Sequence, residues 1–123
     1  MEAINNHPPT INMRTKINKL RMAEEIKDRL GDAIEQVKLW SVRLTENYNP
    51  QTEQAESACV WAEQGRKNAL NVLRLYYSAG AAVVCGDMPR YARLQKVLAE
   101  LHVRAERISK QFELAAMQKG DGA

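Results

Sequence analysis

Carboxylates are the residue type in this chain whose spacing most suggests chemistry. Glu24-Glu25-Ile26-Lys27-Asp28 is followed downstream by Glu53-Gln54-Ala55-Glu56. Acidic motifs on two helices can hold Mg²⁺ against the phosphates of a nucleotide, because a hard cation takes oxygen ligands from protein and phosphate alike. Helical geometry argues for a different use. Glu25, Asp28, Asp32 and Glu35 fall about 130° from the apolar stripe of their own segment, outward into water. The expected state of this row is a solvated face, with Glu25 paired to Arg29 and Glu35 to Lys38 at helical spacing. The other reactive types are sparse. His7 and His102 have no His or Cys at ligand spacing, so each is expected to be structural or solvated. Cys59 and Cys85 form no C-x-x-C, and a gap of 26 residues on one helix is ~39 Å, against the ~7 Å a disulfide tolerates between Cα atoms. Free thiols in a reducing, cytoplasmic setting are expected. No glycine-rich phosphate loop, G-x-S-x-G or H-E-x-x-H occurs, so no cofactor, no metal and no enzymatic activity are expected.

The two acidic motifs resemble, over nine residues, the E-E-x-x-E and E-x-x-D motifs of the MazG-like nucleotide pyrophosphatases. Asp28 stands where that family's first motif ends in Glu, and Glu56 where its second ends in Asp. The resemblance implies an all-α, Mg²⁺-dependent enzyme that uses the carboxylates of both motifs. It is the third of three functional readings.

The elements that must position these residues follow from length and pattern. The chain has 123 residues, 45% of them hydrophobic and 27% charged, which suits one domain with a real core and excludes a disordered chain. No apolar run approaches the ~18 residues of a membrane span, and the first residues lack the basic start and apolar centre of a signal peptide. Residues 1–10, with Pro8-Pro9, are expected to be a flexible arm, 11–117 one helical domain, and 118–123 a flexible tail. Within the domain, Met22, Ile26, Leu30, Ala33, Val37, Trp40 and Leu44 recur at spacings of three and four, which predicts a helix over 11–47. Asn47-Tyr48-Asn49-Pro50 breaks it, and Pro50 suits the first turn of the next helix. Over 50–85 the apolar row reads Ala55, Cys59, Ala62, Ala69, Leu73, Tyr76, Gly80 and Val83, with Arg66 its sole charge. Trp61 and Val72 flank it on one side, Leu70 and Tyr77 on the other. Gly80 is a candidate early stop. Gly86-Asp87-Met88-Pro89 reads as C-cap, N-cap and first turn. From Met88 to Met117, Tyr91, Leu94, Leu98, Leu101, Ala105, Ile108, Phe112 and Ala115 form a heptad-like seam. Short connections make the helices alternate in direction, so the fold class is all-α, an elongated antiparallel three-helix bundle with coiled-coil-like seams.

Three surfaces can carry a function. On the third helix Arg90, Arg93, Lys96, Arg104, Arg107 and Lys110 fall in a ~160° sector away from the seam, interrupted by Glu100, and could follow a phosphate backbone or an acidic partner. The formal charge is only +3, so segregation rather than total charge carries this signal. On the first helix the acidic row could pair with that basic stripe in another copy, making a homo-oligomer. Met13, Ile17 and Leu20 form an apolar triplet about 150° out of phase with the main stripe. Either the chain bends near Arg21 and folds them back, or they dock on another chain; Arg14, Lys16, Lys19 and Arg21 around them also permit a short membrane-surface contact. The leading expectation is a non-enzymatic helical module that docks on a larger protein or nucleoprotein assembly as accessory subunit, adaptor or inhibitor. The alternative is nucleic-acid backbone binding through the basic stripe.

Overall fold

A computed structural model describes residues 11–48 and 57–121 of the chain. The expected arm, Asn49-Pro50, and the second acidic motif with Glu53 and Glu56 lie outside the described residues. Within them the chain is three helices, α1 (Ile11–Asn47), α2 (Ser57–Cys85) and α3 (Met88–Asp121), with no strand. It is an all-α three-helix bundle.

α1 and α3 bury the faces their periodicity marks. Ile26, Ala33 and Trp40 are buried on α1, and Leu98, Leu101, Ile108, Phe112 and Ala115 on α3. The turn between α2 and α3 is written locally. Gly86 takes a left-handed φ of 74°. Its N–H donates to Val83 O at 3.1 Å, and the Asp87 N–H donates to Ala82 O at 2.8 Å. This paired closure is the Schellman arrangement, which satisfies carbonyls that a helix end would otherwise leave unpaired. The Arg90 N–H then donates to Asp87 Oδ1 at 3.2 Å, so Asp87 caps α3 with Pro89 inside the first turn.

α2 runs to Cys85 as its apolar row suggested, past the candidate stop at Gly80. Three expectations change. α3 continues past Met117 to Asp121. α1 is one unbroken helix, so residues 11–20 do not fold back near Arg21. The largest correction is the rotation of α2's buried face, of whose expected row Ala62, Ala69, Tyr76 and Val83 are buried. Its seam is Ala58, Ala62, Gly65, Ala69, Val72, Tyr76, Ala79 and Val83, together with Asn68 and Ala82. Leu73 and Gly80 are only half-buried, and Tyr77 is 59% exposed. The physical reason is helix separation. Small residues let the α2 backbone lie close to both neighbours, so this face turns inward although the longer Leu and Tyr side chains lie beside it.

α2 is the middle helix. α1 and α3 both pack on it, whereas no Cα of α1 comes within 8 Å of a Cα of α3 among the described residues. Three apolar clusters stack along the bundle: Trp40 with Ala62, Ile108 and Phe112; Ala33 with Val72, Tyr76 and Leu98; and Ile26 with Ala79 and Val83. α1 and α3 meet through long side chains. The Trp40 and Phe112 rings stand edge to face, centroids 5.4 Å apart, and the Arg43 guanidinium lies 4.7 Å from the Trp40 ring centre and 5.0 Å from that of Phe112.

The glycine inside α1 gives a direct test of this architecture. A Cβ at Gly31 would meet nothing within 4 Å, and glycine costs a helix interior about 1 kcal/mol relative to alanine. Gly31→Ala is therefore expected to raise the melting temperature by several degrees. A thermal scan showing no rise, or a fall, would mean that α1 is not continuous through this point.

Candidate functional site

The separation of α1 from α3 leaves a groove along one side of the bundle, floored by α2. Three recesses follow it. The central one is a cavity of about 90 Å³ lined by Arg29, Asp32, Ala33, Gln36 and Trp40 of α1, by Gly65, Asn68, Ala69, Val72 and Tyr76 of α2, and by His102 and Ala105 of α3. An open recess of about 430 Å³ continues it toward Glu25, Tyr91 and Gln95. Another of about 490 Å³ runs past Glu106, Ser109, Lys110 and Glu113. His102 lines all three. From Tyr91 to Glu113 the groove follows α3 for about 33 Å at the helical rise.

Local sequence explains each wall. Glu25, Arg29, Asp32 and Gln36 repeat at three and four and so share one edge of α1, adjacent to its buried stripe. Gln95, His102 and Glu106 occupy the matching edge of α3. The floor exists because α2 presents Gly65 and Ala69 where larger residues would fill the space. A Cβ at Gly65 would fall on the Trp40 ring, so this glycine is what lets the indole seat against α2.

Two buried residues with polar groups, Tyr76 and Asn68, line this region. The Tyr76 hydroxyl and His102 Nε2 lie 2.9 Å apart, and either can donate according to the imidazole tautomer. Burial pushes the Tyr76 phenol above its ordinary pKa; Arg29 opposes that shift, and Asp32 and Glu25 add to it. Burial, then Glu25, raises Tyr91 in the same direction. Both phenols are therefore protonated at neutral pH and able to donate. Asn68 is 5% exposed and donates from Nδ2 to Leu101 O at 3.1 Å. That bond fixes the amide orientation, since Oδ1 cannot face a carbonyl, and Oδ1 has no hydrogen-bond partner.

The walls are acidic on balance. Glu25, Asp32, Glu106 and Glu113 stand against Arg29 and Lys110. Ion pairs among the described residues are Glu35–Lys38 at 3.4 Å and Glu63–Lys67 at 3.2 Å, neither of them in the groove. Of the expected acidic row, Glu35 thus pairs with Lys38 as its spacing suggested, but Glu25 does not pair with Arg29. Glu25 and Asp32 wall the groove, while Asp28 and Glu35 are exposed. The described residues contain no group of three His, Cys, Asp or Glu able to hold a metal ion.

The other expected surfaces are placed as follows. Arg90, Arg93, Lys96, Arg104, Arg107 and Lys110 are all exposed, and none is in an ion pair among the described residues. Lys110 reaches the groove's edge, and the rest point elsewhere. Ile17 and Leu20 are 50% and 68% exposed; the Met13 side chain lies outside the described residues. The end of the Lys19 side chain lies over Gly86 at the α2–α3 turn. Cys59 is half-buried and Cys85 exposed, both as free thiols. No described helix is long and apolar enough to cross a membrane.

Sequence reasoning missed the groove. Its one local signal was polar residues at seam positions, Asn68 on α2 above all, where a heptad calls for an apolar side chain. Comparison of the chain with protein-family models, with curated proteins and with solved structures finds no match of any of the three kinds.

Proposed function

We propose that the protein is a non-enzymatic binding module whose groove between α1 and α3 receives a helix of a partner protein. The observation that carries this is the absence of close backbone approach between α1 and α3 over a floor of small residues. Two helices flanking a third in this way leave one side of a four-helix arrangement open, and a fourth helix completes it by ordinary side-chain interdigitation. The surplus of carboxylates on the walls favours a partner helix with basic residues along its edges. Docking of this kind is what an accessory subunit, adaptor or inhibitor does.

The expected result is selective loss. Ala99 is exposed and lines the groove beside Gln95, so Ala99→Trp obstructs the path of an incoming helix without entering the core. The partner captured by the wild type is expected to bind this variant at least tenfold more weakly. The triple reversal Arg93→Glu, Arg104→Glu and Arg107→Glu, on other faces of α3, is expected to leave that affinity within about threefold. Full binding by Ala99→Trp together with loss in the triple variant overturns the groove reading.

A second reading rests on the six exposed, unpaired cations of α3, which could track a nucleic-acid backbone. Its signature is salt dependence. Each phosphate neutralised on duplex DNA contributes a slope of ~0.9 in log K against log salt, and a smooth Lys/Arg row reads no base edges. Binding to random duplex at low salt with a slope of several, lost in the triple reversal, supports this reading. No binding at low salt removes it.

A further inference from the structure

Independently of the groove, we infer that the end of the bundle formed by the first turns of α1 and the α2–α3 turn docks on an anionic membrane surface. Charge is sorted along this chain. Residues 11–23 carry Arg14, Lys16, Lys19 and Arg21 and no acid, and residues 84–93 carry Arg90 and Arg93 against Asp87. The remainder of the chain holds more Asp and Glu than Lys and Arg. The fold sets the two basic segments side by side. Met22 and Tyr91 both pack on the cluster of Ile26, Ala79 and Val83, and Lys19 Nζ lies 3.3 Å from where a Cβ on Gly86 would stand. The one carboxylate of the two segments caps α3, its Oδ1 accepting the Arg90 N–H. Arg14, Lys16, Arg21, Arg90 and Arg93 are exposed, and no ion pair among the described residues involves any of the six cations.

Apolar side chains at the same end select the kind of anion. Val84, 77% exposed, is the most open large apolar side chain described, and Met88, Leu20 and Ile17 are exposed as well. Along α1 the helical step puts Ile17 and Leu20 on one side, with Lys16 and Arg21 on its two flanks. A nucleic-acid backbone offers aliphatic side chains nothing to enter. The headgroup boundary of a bilayer takes them in, while Lys and Arg on the flanks keep their charge at the lipid phosphates. A protein partner anchors by filling pockets, and of these two segments only Tyr91 lines any of the three recesses. The contact is peripheral and reversible, because a few aliphatic side chains hold a bilayer only together with the charge around them.

The test is co-sedimentation of the full chain with vesicles of phosphatidylcholine, with and without about one-third phosphatidylserine. At low salt the anionic vesicles are expected to bind at least tenfold more tightly than the neutral ones, and added salt to remove most of that difference. Lys16→Glu with Arg21→Glu is expected to weaken binding about tenfold or more. Arg104→Glu with Arg107→Glu makes the same change in net charge far along α3, and is expected to stay within about threefold of the wild type. Leu20→Ser with Val84→Ser removes two inserted side chains and is expected to cost about tenfold at unchanged charge. All six positions are exposed, so helicity is expected to be retained throughout. No binding to anionic vesicles at low salt overturns the inference. So does equal loss in the two charge reversals, which would make net charge the cause. Full binding by Leu20→Ser with Val84→Ser also overturns it, since the end would then adsorb to any acidic polymer. Ala99→Trp lies in the groove and should keep vesicle binding while losing the partner, so the two proposals fail separately.

Discussion

Leu98→Asp is expected to unfold the bundle at room temperature. Leu98 is 1% exposed and packs with Ala33, Val72, Tyr76 and Leu101 where all three helices meet. The substitution removes a buried aliphatic side chain, worth roughly 2 to 5 kcal/mol, and puts a carboxylate among the apolar side chains of that cluster, which costs several more. A domain of this size has about 5 to 15 kcal/mol in total, so the two losses reach the whole of it. Circular dichroism should show the helical signal falling sharply and the cooperative melt disappearing. Val103→Asp is the matched control: it lies on the same helix, is 60% exposed and is expected to change stability by no more than about 0.5 kcal/mol. Wild-type melting of Leu98→Asp would mean that the buried face of α3 is misassigned.

Gly65→Ala is expected to destabilise, against the rule that alanine is the better helix former. The new methyl would fall on the Trp40 ring, and Trp40 is 3% exposed and held between α2 and Phe112. The clash falls on the body of the indole rather than on the end of a flexible side chain, so either the ring or the helices must shift. Overpacking of this kind costs typically 1 to 3 kcal/mol, more than the propensity gain of about 1 kcal/mol. The effect should be a fall of several degrees in melting temperature, opposite in sign to Gly31→Ala. A double-mutant cycle locates the cause. In a Trp40→Leu background the penalty of Gly65→Ala should shrink or vanish, because the atoms it collides with are gone. An equal penalty in both backgrounds would place the strain elsewhere. The same change should also disturb the cavity, because Trp40 forms one of its walls.

Much of the fold was legible because it is decided within one helix or one turn. The three-and-four spacing of Ile26, Ala33 and Trp40, and of Leu98, Leu101 and Ile108, places those residues on one side of a helix whatever surrounds it. The Gly86-Asp87 turn was equally legible, because a left-handed φ and an N-cap are demands that glycine and aspartate meet by their own chemistry. The site was not. The expected row of α2 placed Ala62, Ala69, Tyr76 and Val83 correctly, but set Cys59, Leu73 and Gly80 with them where Ala58, Gly65, Val72 and Ala79 are buried, a small rotation from the true seam. What turns Ala58, Ala62, Gly65 and Ala79 inward is close packing against two neighbours at once, which no single helix encodes. Likewise, Glu25 and Asp32 read as outward residues of α1, and only the distance between α1 and α3 makes them the wall of a groove. The sequence by itself thus determined three helices, the order in which they turn back, and the buried sides of the outer two. The tertiary structure alone decided the exact rotation of α2's buried face, the gap between α1 and α3, and the unpaired oxygen of buried Asn68. The division follows from range: periodicity and capping act over one to seven residues, whereas the gap is set by side chains that meet only after the helices have packed.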